Sequence, residues 1–74
     1  MKQTKIIEIE DGIKKEFKAT DVSITVEGHN LEIHIEGSEL KQNSFGVRLA
    51  VLRQYLAKNF KNDLKETIVT VQFH

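Results

Sequence analysis

His34 and Glu36 have the spacing that some catalytic metal sites use. The pattern H-x-E occurs in zinc deaminases, but those sites also need cysteine ligands, and this chain has no cysteine. A simpler site would join His34 to Glu32 or Glu36, and side chains two residues apart on a strand diverge unless a third ligand comes from elsewhere. We therefore expect neither a metal ion nor another cofactor.

Other side chains used in catalysis lack a suitable context. The serines occupy positions that a strand, a turn or a helix cap explains, and none lies in a nucleophile-elbow sequence. The four glycines are too scattered for a phosphate-binding loop. A chain of 74 residues also has few residues with which to enclose a substrate and exclude water. We predict that the protein is not an enzyme.

The composition is that of one small globular domain spanning residues 1–74. Hydrophobic residues make up 39% and charged residues 30%, which is enough for a packed core and too little charge for a disordered chain. No run approaches the roughly 18 apolar residues of a membrane span, and the first residues do not resemble a signal sequence. The sequence predicts no membrane association and a cytoplasmic location.

The main helical signal lies in residues 44–60. Phe45, Leu49, Leu52, Leu56 and Phe60 recur at steps of three and four, which places them in one stripe along a helix. Either residue 43 or residue 44 is able to cap its first turn, and an earlier start at residue 38 is a second possibility. This helix is expected to cover one face of a sheet.

Before the helix, the chain alternates with period two. The sequence predicts strands at residues 4–10 and 13–19, joined by Asp11-Gly12 as a turn. A two-residue turn would pair Ile6 with Phe17. We prefer a three-residue loop, because it gathers Ile7, Ile9, Ile13 and Phe17 on the core face. Ile6 is then expected to be exposed.

The next two strands form the clearest hairpin. Apolar residues at 22, 24 and 26 and at 31, 33 and 35 alternate with polar ones, and Gly28-His29 suits a type II′ turn. That turn pairs Val26 with Leu31, and Val22 with Ile35. A fifth strand is predicted at residues 67–74. The predicted fold class is thus α+β: a β-β-β-β-α-β chain with one antiparallel sheet, in the order 5-1-2-3-4, and one amphipathic helix packed on one face.

The helix carries a second apolar stripe at Val47, Val51 and Tyr55. Its centre lies more than about 90° round the helix from the first stripe, where a lone helix on a sheet normally meets water. Either a curled sheet covers it internally, or it contacts another molecule. We predict it as a partner or dimer interface.

Charge adds a competing interpretation. Eleven basic and eleven acidic residues cancel over the whole chain, yet residues 40–62 contain five basic residues and no acid. Arg48, Arg53, Lys58 and Lys61 are candidate contacts for nucleic acid or an acidic partner, although their positions around the helix are scattered. The sequence predicts a small non-enzymatic protein-interaction module, a homodimer that inhibits or regulates a protein partner, of the kind that phages and mobile elements encode. RNA or single-stranded DNA binding through the basic helix is the alternative.

Overall fold

Two helices and three strands make up the chain, and the computed structural model describes all of residues 1–74. The elements are, in order, α1 (Gln3–Glu16), β1 (Asp21–Glu27), β2 (Asn30–Glu36), a 3₁₀ helix (Glu39–Gln42), α2 (Phe45–Phe60) and β3 (Ile68–Phe73). The α+β class holds, but the arrangement within it differs from the one expected from the sequence.

The sheet is mixed and has the strand order β1-β2-β3. β1 pairs antiparallel with β2, whereas β3 pairs parallel with β2. The predicted antiparallel sheet in the order 5-1-2-3-4, with a single helix, is therefore wrong. The parallel pair is possible because the 3₁₀ helix and α2 form a crossover long enough to return the chain to the starting end of β2.

The first two predicted strands are wrong because residues 3–16 form α1. Ile9 and Ile13, four residues apart, fit a period of two as well as a period of 3.6, so they did not decide between strand and helix. Ile6 decides it: it is 7% exposed, whereas Ile7, which the strand interpretation placed in the core, is 46% exposed. The helix runs straight through Asp11 and Gly12, the residues predicted to form a turn.

The β1–β2 hairpin has the predicted register. Val26 pairs with Leu31 and Val22 with Ile35, and on the opposite face Ser23 pairs with His34. Gly28 has a φ of +60°, while His29 does not have positive φ, which fits a type II′ turn. The hairpin could be predicted because its loop length and its alternation both specify one register.

α2 (Phe45–Phe60) lies within the periodic stretch of residues 44–60, and the cap candidate at residue 44 immediately precedes it. Ser44 is its N-cap residue, but its side chain makes no capping hydrogen bond. The alternative start at residue 38 corresponds to the separate 3₁₀ helix, where the Ser38 hydroxyl accepts the N–H of Leu40 and donates to the Phe17 carbonyl. The connection before α2 is therefore anchored to the end of α1.

Both helices pack on the same face of the sheet. Leu31, Ile33 and Ile35 of the central strand are at most 1% exposed, and they share one core cluster with Ile9 of α1 and Leu52 of α2. The opposite face of the sheet carries no covering element. Neither helix combines the length and the apolar composition that crossing a lipid bilayer requires.

Candidate interaction surface

The second apolar stripe of α2 lies toward α1. Val51 and Tyr55 are partly buried and pack against the core cluster. The Tyr55 ring meets Phe17 and Phe60 edge-on, at centroid distances of 5.3 and 6.1 Å. Val47 is 48% exposed. The stripe thus divides into an inner pair that contacts the core and one outer residue that a second molecule could reach.

Gly12 explains how α1 approaches Tyr55 so closely. A Cβ atom at this position would lie 2.5 Å from the Tyr55 hydroxyl oxygen, a distance shorter than any ordinary contact. A glycine inside a helix costs about 1 kcal/mol relative to alanine, so the close approach accounts for its presence there. Burial raises the pKa of the Tyr55 hydroxyl, and the nearby Glu16 carboxylate raises it further.

The four candidate basic residues do not form a single surface. The Arg48 Nε donates a hydrogen bond of 2.8 Å to the Asn43 carbonyl, and its guanidinium lies 5.5 Å from the centre of the Phe73 ring. Lys58 lies on the α1 side of the helix, in a depression that it shares with Glu16. Arg53 and Lys61 lie together on the opposite flank, toward β3.

A basic groove runs between that flank of α2 and the start of β3. Its volume is about 480 Å³, within the range of ligand-binding clefts. Arg53, Lys61 and Lys65 supply three positive charges, and no acidic side chain lines it. The remaining lining residues are mostly apolar: Leu56, Ala57, Leu64, Thr67 and Val69. The small side chain of Ala57 leaves room between Arg53 and Lys61.

The groove adjoins an uncovered sheet edge. β3 pairs only with β2, and the N–H groups of Ile68 and His74 donate toward β2, to the carbonyls of His29 and Ile35. Alternate residues of a strand direct their backbone groups to the same side, so the N–H groups of Val69, Val71 and Phe73 point away from the sheet. These groups form a row that another extended segment could pair with.

Sequence reasoning missed Lys65 and the open edge of β3. Residues 67–73 contain no charged residue, no proline and no glycine, and that run was the available signal. The predicted order 5-1-2-3-4 also places this run at an edge of the sheet, but beside the first predicted strand rather than beside β2. Nowhere in the structure do three or more His, Asp or Glu side chains form a group that could hold a metal ion.

Comparison of the chain with protein-family models, with curated proteins and with solved structures yields no match. The groove and the strand edge are therefore the features of this chain that bear on its function.

Proposed function

We propose that this chain is a small non-enzymatic interaction module that binds an extended, acidic segment of a partner protein and thereby inhibits or regulates that partner. The observation that carries the proposal is the uncharged, uncovered edge of β3 beside a groove with three positive charges. The strand edge provides backbone hydrogen bonds, and the groove selects the charge of the ligand.

The strand edge supports binding by strand addition. Proteins usually protect an edge strand with charges, proline, a bulge or a covering element, because unpaired N–H and C=O groups attract other strands. Residues 67–73 carry none of the protecting residue types. In recognition by strand addition, the backbone pairing gives affinity and the alternate side chains of the ligand give specificity.

The charge of the groove favours an acidic ligand. The chain as a whole has zero formal net charge, so the attraction must be local. Side chains of a segment paired with β3 would alternate between the two faces of the sheet, and those on the helix side would meet Arg53 and Lys61. Carboxylates at these positions would form charge-assisted hydrogen bonds.

RNA or single-stranded DNA is the second candidate, and the same three cations are the observation that favours it. Proteins that bind single strands usually combine such cations with aromatic rings on which bases stack. No aromatic side chain lines the groove, and the Tyr55 ring packs between Phe17 and Phe60. The surface therefore suits a peptide better than a nucleic acid.

The homodimer expected from the sequence remains a separate proposal for the same molecule. Phe45 and Val47 are 55% and 48% exposed and lie two residues apart at the start of α2. A second copy that covers these residues would bury apolar surface that otherwise faces water.

Titration of ¹⁵N-labelled protein with synthetic peptides tests the proposed function. One peptide alternates threonine or valine with glutamate, and a second replaces each glutamate by lysine. We expect the acidic peptide to shift the amide signals of Val69, Val71 and Phe73, and the basic peptide to bind more weakly. Reversing both groove charges, with Arg53→Glu and Lys61→Glu, should weaken binding of the acidic peptide about tenfold or more.

A matched control reverses two charges outside the groove, with Lys41→Glu and Lys58→Glu. Both residues are exposed, so the fold should tolerate the change and the peptide affinity should decrease much less. Circular dichroism checks that every variant is folded. Signal shifts confined to another surface, or equal losses in both double variants, contradict the proposal. Stronger binding of oligouridine or oligothymidine, with a steep dependence on salt, favours the second candidate.

A further inference from the structure

The uncovered face of the sheet holds a chain of hydrogen-bonding side chains that the proposed function does not use. His34 Nε2 lies 2.7 Å from Glu32 Oε1, and His34 Nδ1 lies 3.2 Å from His74 Nε2. Gln72 Nε2 lies 3.4 Å from the same Glu32 oxygen. The histidines come from neighbouring strands, which explains why the sequence did not bring them together.

The two imidazole rings meet edge to edge. Their planes are within 9° of parallel and their centres are 5.5 Å apart. Rings at that separation bring two nitrogens to 3.2 Å only when both nitrogens lie close to the line between the ring centres. His34 Nδ1 and His74 Nε2 therefore face each other in one plane, rather than lying in a face-to-face stack.

The protonation pattern follows from the carboxylate. A carboxylate only accepts, so His34 Nε2 carries the proton that it donates to Glu32, and Nδ1 of the neutral ring then has a lone pair. That lone pair faces His74 Nε2, which either donates a proton to it or presents a second lone pair. In the second case, two imidazole ligands face the same point.

We propose that His34 Nδ1 and His74 Nε2 bind a divalent transition-metal ion such as Zn²⁺, Ni²⁺ or Cu²⁺. The ion takes the place of the proton between the two nitrogens, and that proton moves to Nδ1 of His74, so two neutral rings bind the ion without net release of a proton. Water completes the coordination. Imidazole nitrogen is a preferred ligand of these ions, and Mg²⁺ and Ca²⁺ prefer oxygen.

The distances suit such an ion. A tetrahedral Zn²⁺ with bonds of about 2.0–2.1 Å holds two nitrogen ligands about 3.3 Å apart. The observed separation is 3.2 Å. The ion must sit beside the line between the nitrogens, so a ring has to turn. His74 is exposed, while Glu32 holds the ring of His34, so His74 is the ring that would turn.

Glu32 is in the position of the outer carboxylate that commonly orients a metal-binding histidine. Such a carboxylate accepts the distal N–H of the ring, fixes its tautomer and raises its basicity. Gln72 in turn donates to Glu32. Negative charge on this face of the sheet favours binding of a cation. The strands contribute no lysine or arginine to this face and four carboxylates: Asp21, Glu27, Glu32 and Glu36.

Calorimetric titration of the untagged protein with ZnCl₂, NiCl₂ and MgCl₂ at pH 7.5 tests the site, with ¹⁵N spectra of the imidazole rings as a second readout. We expect Zn²⁺ and Ni²⁺ to bind with a stoichiometry of one and to shift the ring signals of His34 and His74. Mg²⁺ should give no heat. Glu32→Gln should weaken Zn²⁺ binding about 10- to 100-fold, and His34→Ala or His74→Ala should weaken it further.

His29→Ala is the matched control, because His29 is the chain's third histidine and lies in the β1–β2 turn. It should leave the Zn²⁺ affinity unchanged. An equal loss in His29→Ala overturns the proposal. So does Zn²⁺ binding that leaves the ring signals unchanged, or no binding at millimolar Zn²⁺.

Discussion

The two edges of the sheet differ in how they are closed. Along β1, α1 packs beside the strand, and Glu10 Oε2 accepts the N–H of Ile24 at 2.8 Å. Along β3, no helix and no side chain takes that role, and the outward N–H groups have no partner element. The same small domain therefore protects one edge and leaves the other available.

Because of this difference, we expect the side of the sheet near β1 to contribute mainly to stability and the side near β3 to contribute mainly to binding. The covered side contains fully buried residues of α1, such as Ile9 and Ile13, and the rings around Tyr55. The open side contains Val69, which is partly buried, and the cations of the groove. Substitutions on the covered side should lower the free energy of unfolding, and substitutions on the open side should mainly change binding.

The largest effect is expected for Ile9→Ala. Ile9 lies on the buried side of α1 and is 0% exposed. Removing its side chain therefore leaves a cavity and should lower the free energy of unfolding by about 2–5 kcal/mol. Val69→Ala on the open side should cost less than about 1.5 kcal/mol. Urea unfolding followed by circular dichroism measures both. Equal losses would mean that the two sides contribute alike to stability.

The hairpin and α2 could be predicted because local pattern and tertiary structure agree there. α1 could not be predicted in the same way. Four isoleucines and an internal glycine make its intrinsic helix preference weak, so burial of Ile6, Ile9 and Ile13 supplies most of its stability. Asp11-Gly12 also matches a hairpin turn, whereas in the structure Gly12 lies inside the helix and packs against Tyr55.

The wrong assignment of α1 as two strands also led to the wrong position for the last strand in the sheet. If residues 4–19 form two strands, the last strand lies beside the first one, and nothing in the sequence marks its outer edge as a binding site. With α1 as a helix, β3 lies beside β2 instead, and Arg53 and Lys61 face the groove next to it. The candidate site depends on strand order, which periodicity alone does not determine.

A second prediction compares two residues of the helix stripe. Val51→Glu places a carboxylate against the core, so it should lower the free energy of unfolding by about 1–3 kcal/mol. Val47→Glu changes an exposed residue and should alter stability by less than about 0.5 kcal/mol. If the homodimer uses this end of α2, Val47→Glu should halve the mass measured by light scattering. A wild-type protein that is monomeric at high concentration would exclude the dimer.

A third prediction concerns the protected edge. Glu10→Ala removes the acceptor of the Ile24 N–H and should cost about 1 kcal/mol, with faster hydrogen exchange at that amide. Glu10→Gln keeps an acceptor oxygen and should cost less. If the hydrogen bond protects the edge, the alanine variant should also associate more readily at high concentration. Unchanged exchange at Ile24 would show that Glu10 does not close this edge.

The smallest effect is expected at alkaline pH, where the pKa of the Tyr55 hydroxyl shows how well α1 covers this side of α2. Burial raises the pKa of its hydroxyl and Glu16 adds to the shift, so the unfolded chain loses the tyrosine proton at a lower pH than the folded one. The contribution of Tyr55 to stability is then constant below about pH 10 and declines as the pH rises toward the pKa of the folded state.

The chain has one tyrosine and no tryptophan, so phenolate absorbance follows Tyr55 alone. We expect its midpoint to lie above the ordinary value, and Glu16→Gln to lower that midpoint by removing the smaller of the two causes. Lys5 also titrates in this range, and its hydrogen bond to Glu8 raises its pKa. The wild type should therefore be compared with Tyr55→Phe. The part of the alkaline loss of stability that is absent in the variant is due to the tyrosine. A midpoint at the ordinary value would mean that α1 leaves the hydroxyl in water, and the contrast between the two sides of the sheet would weaken.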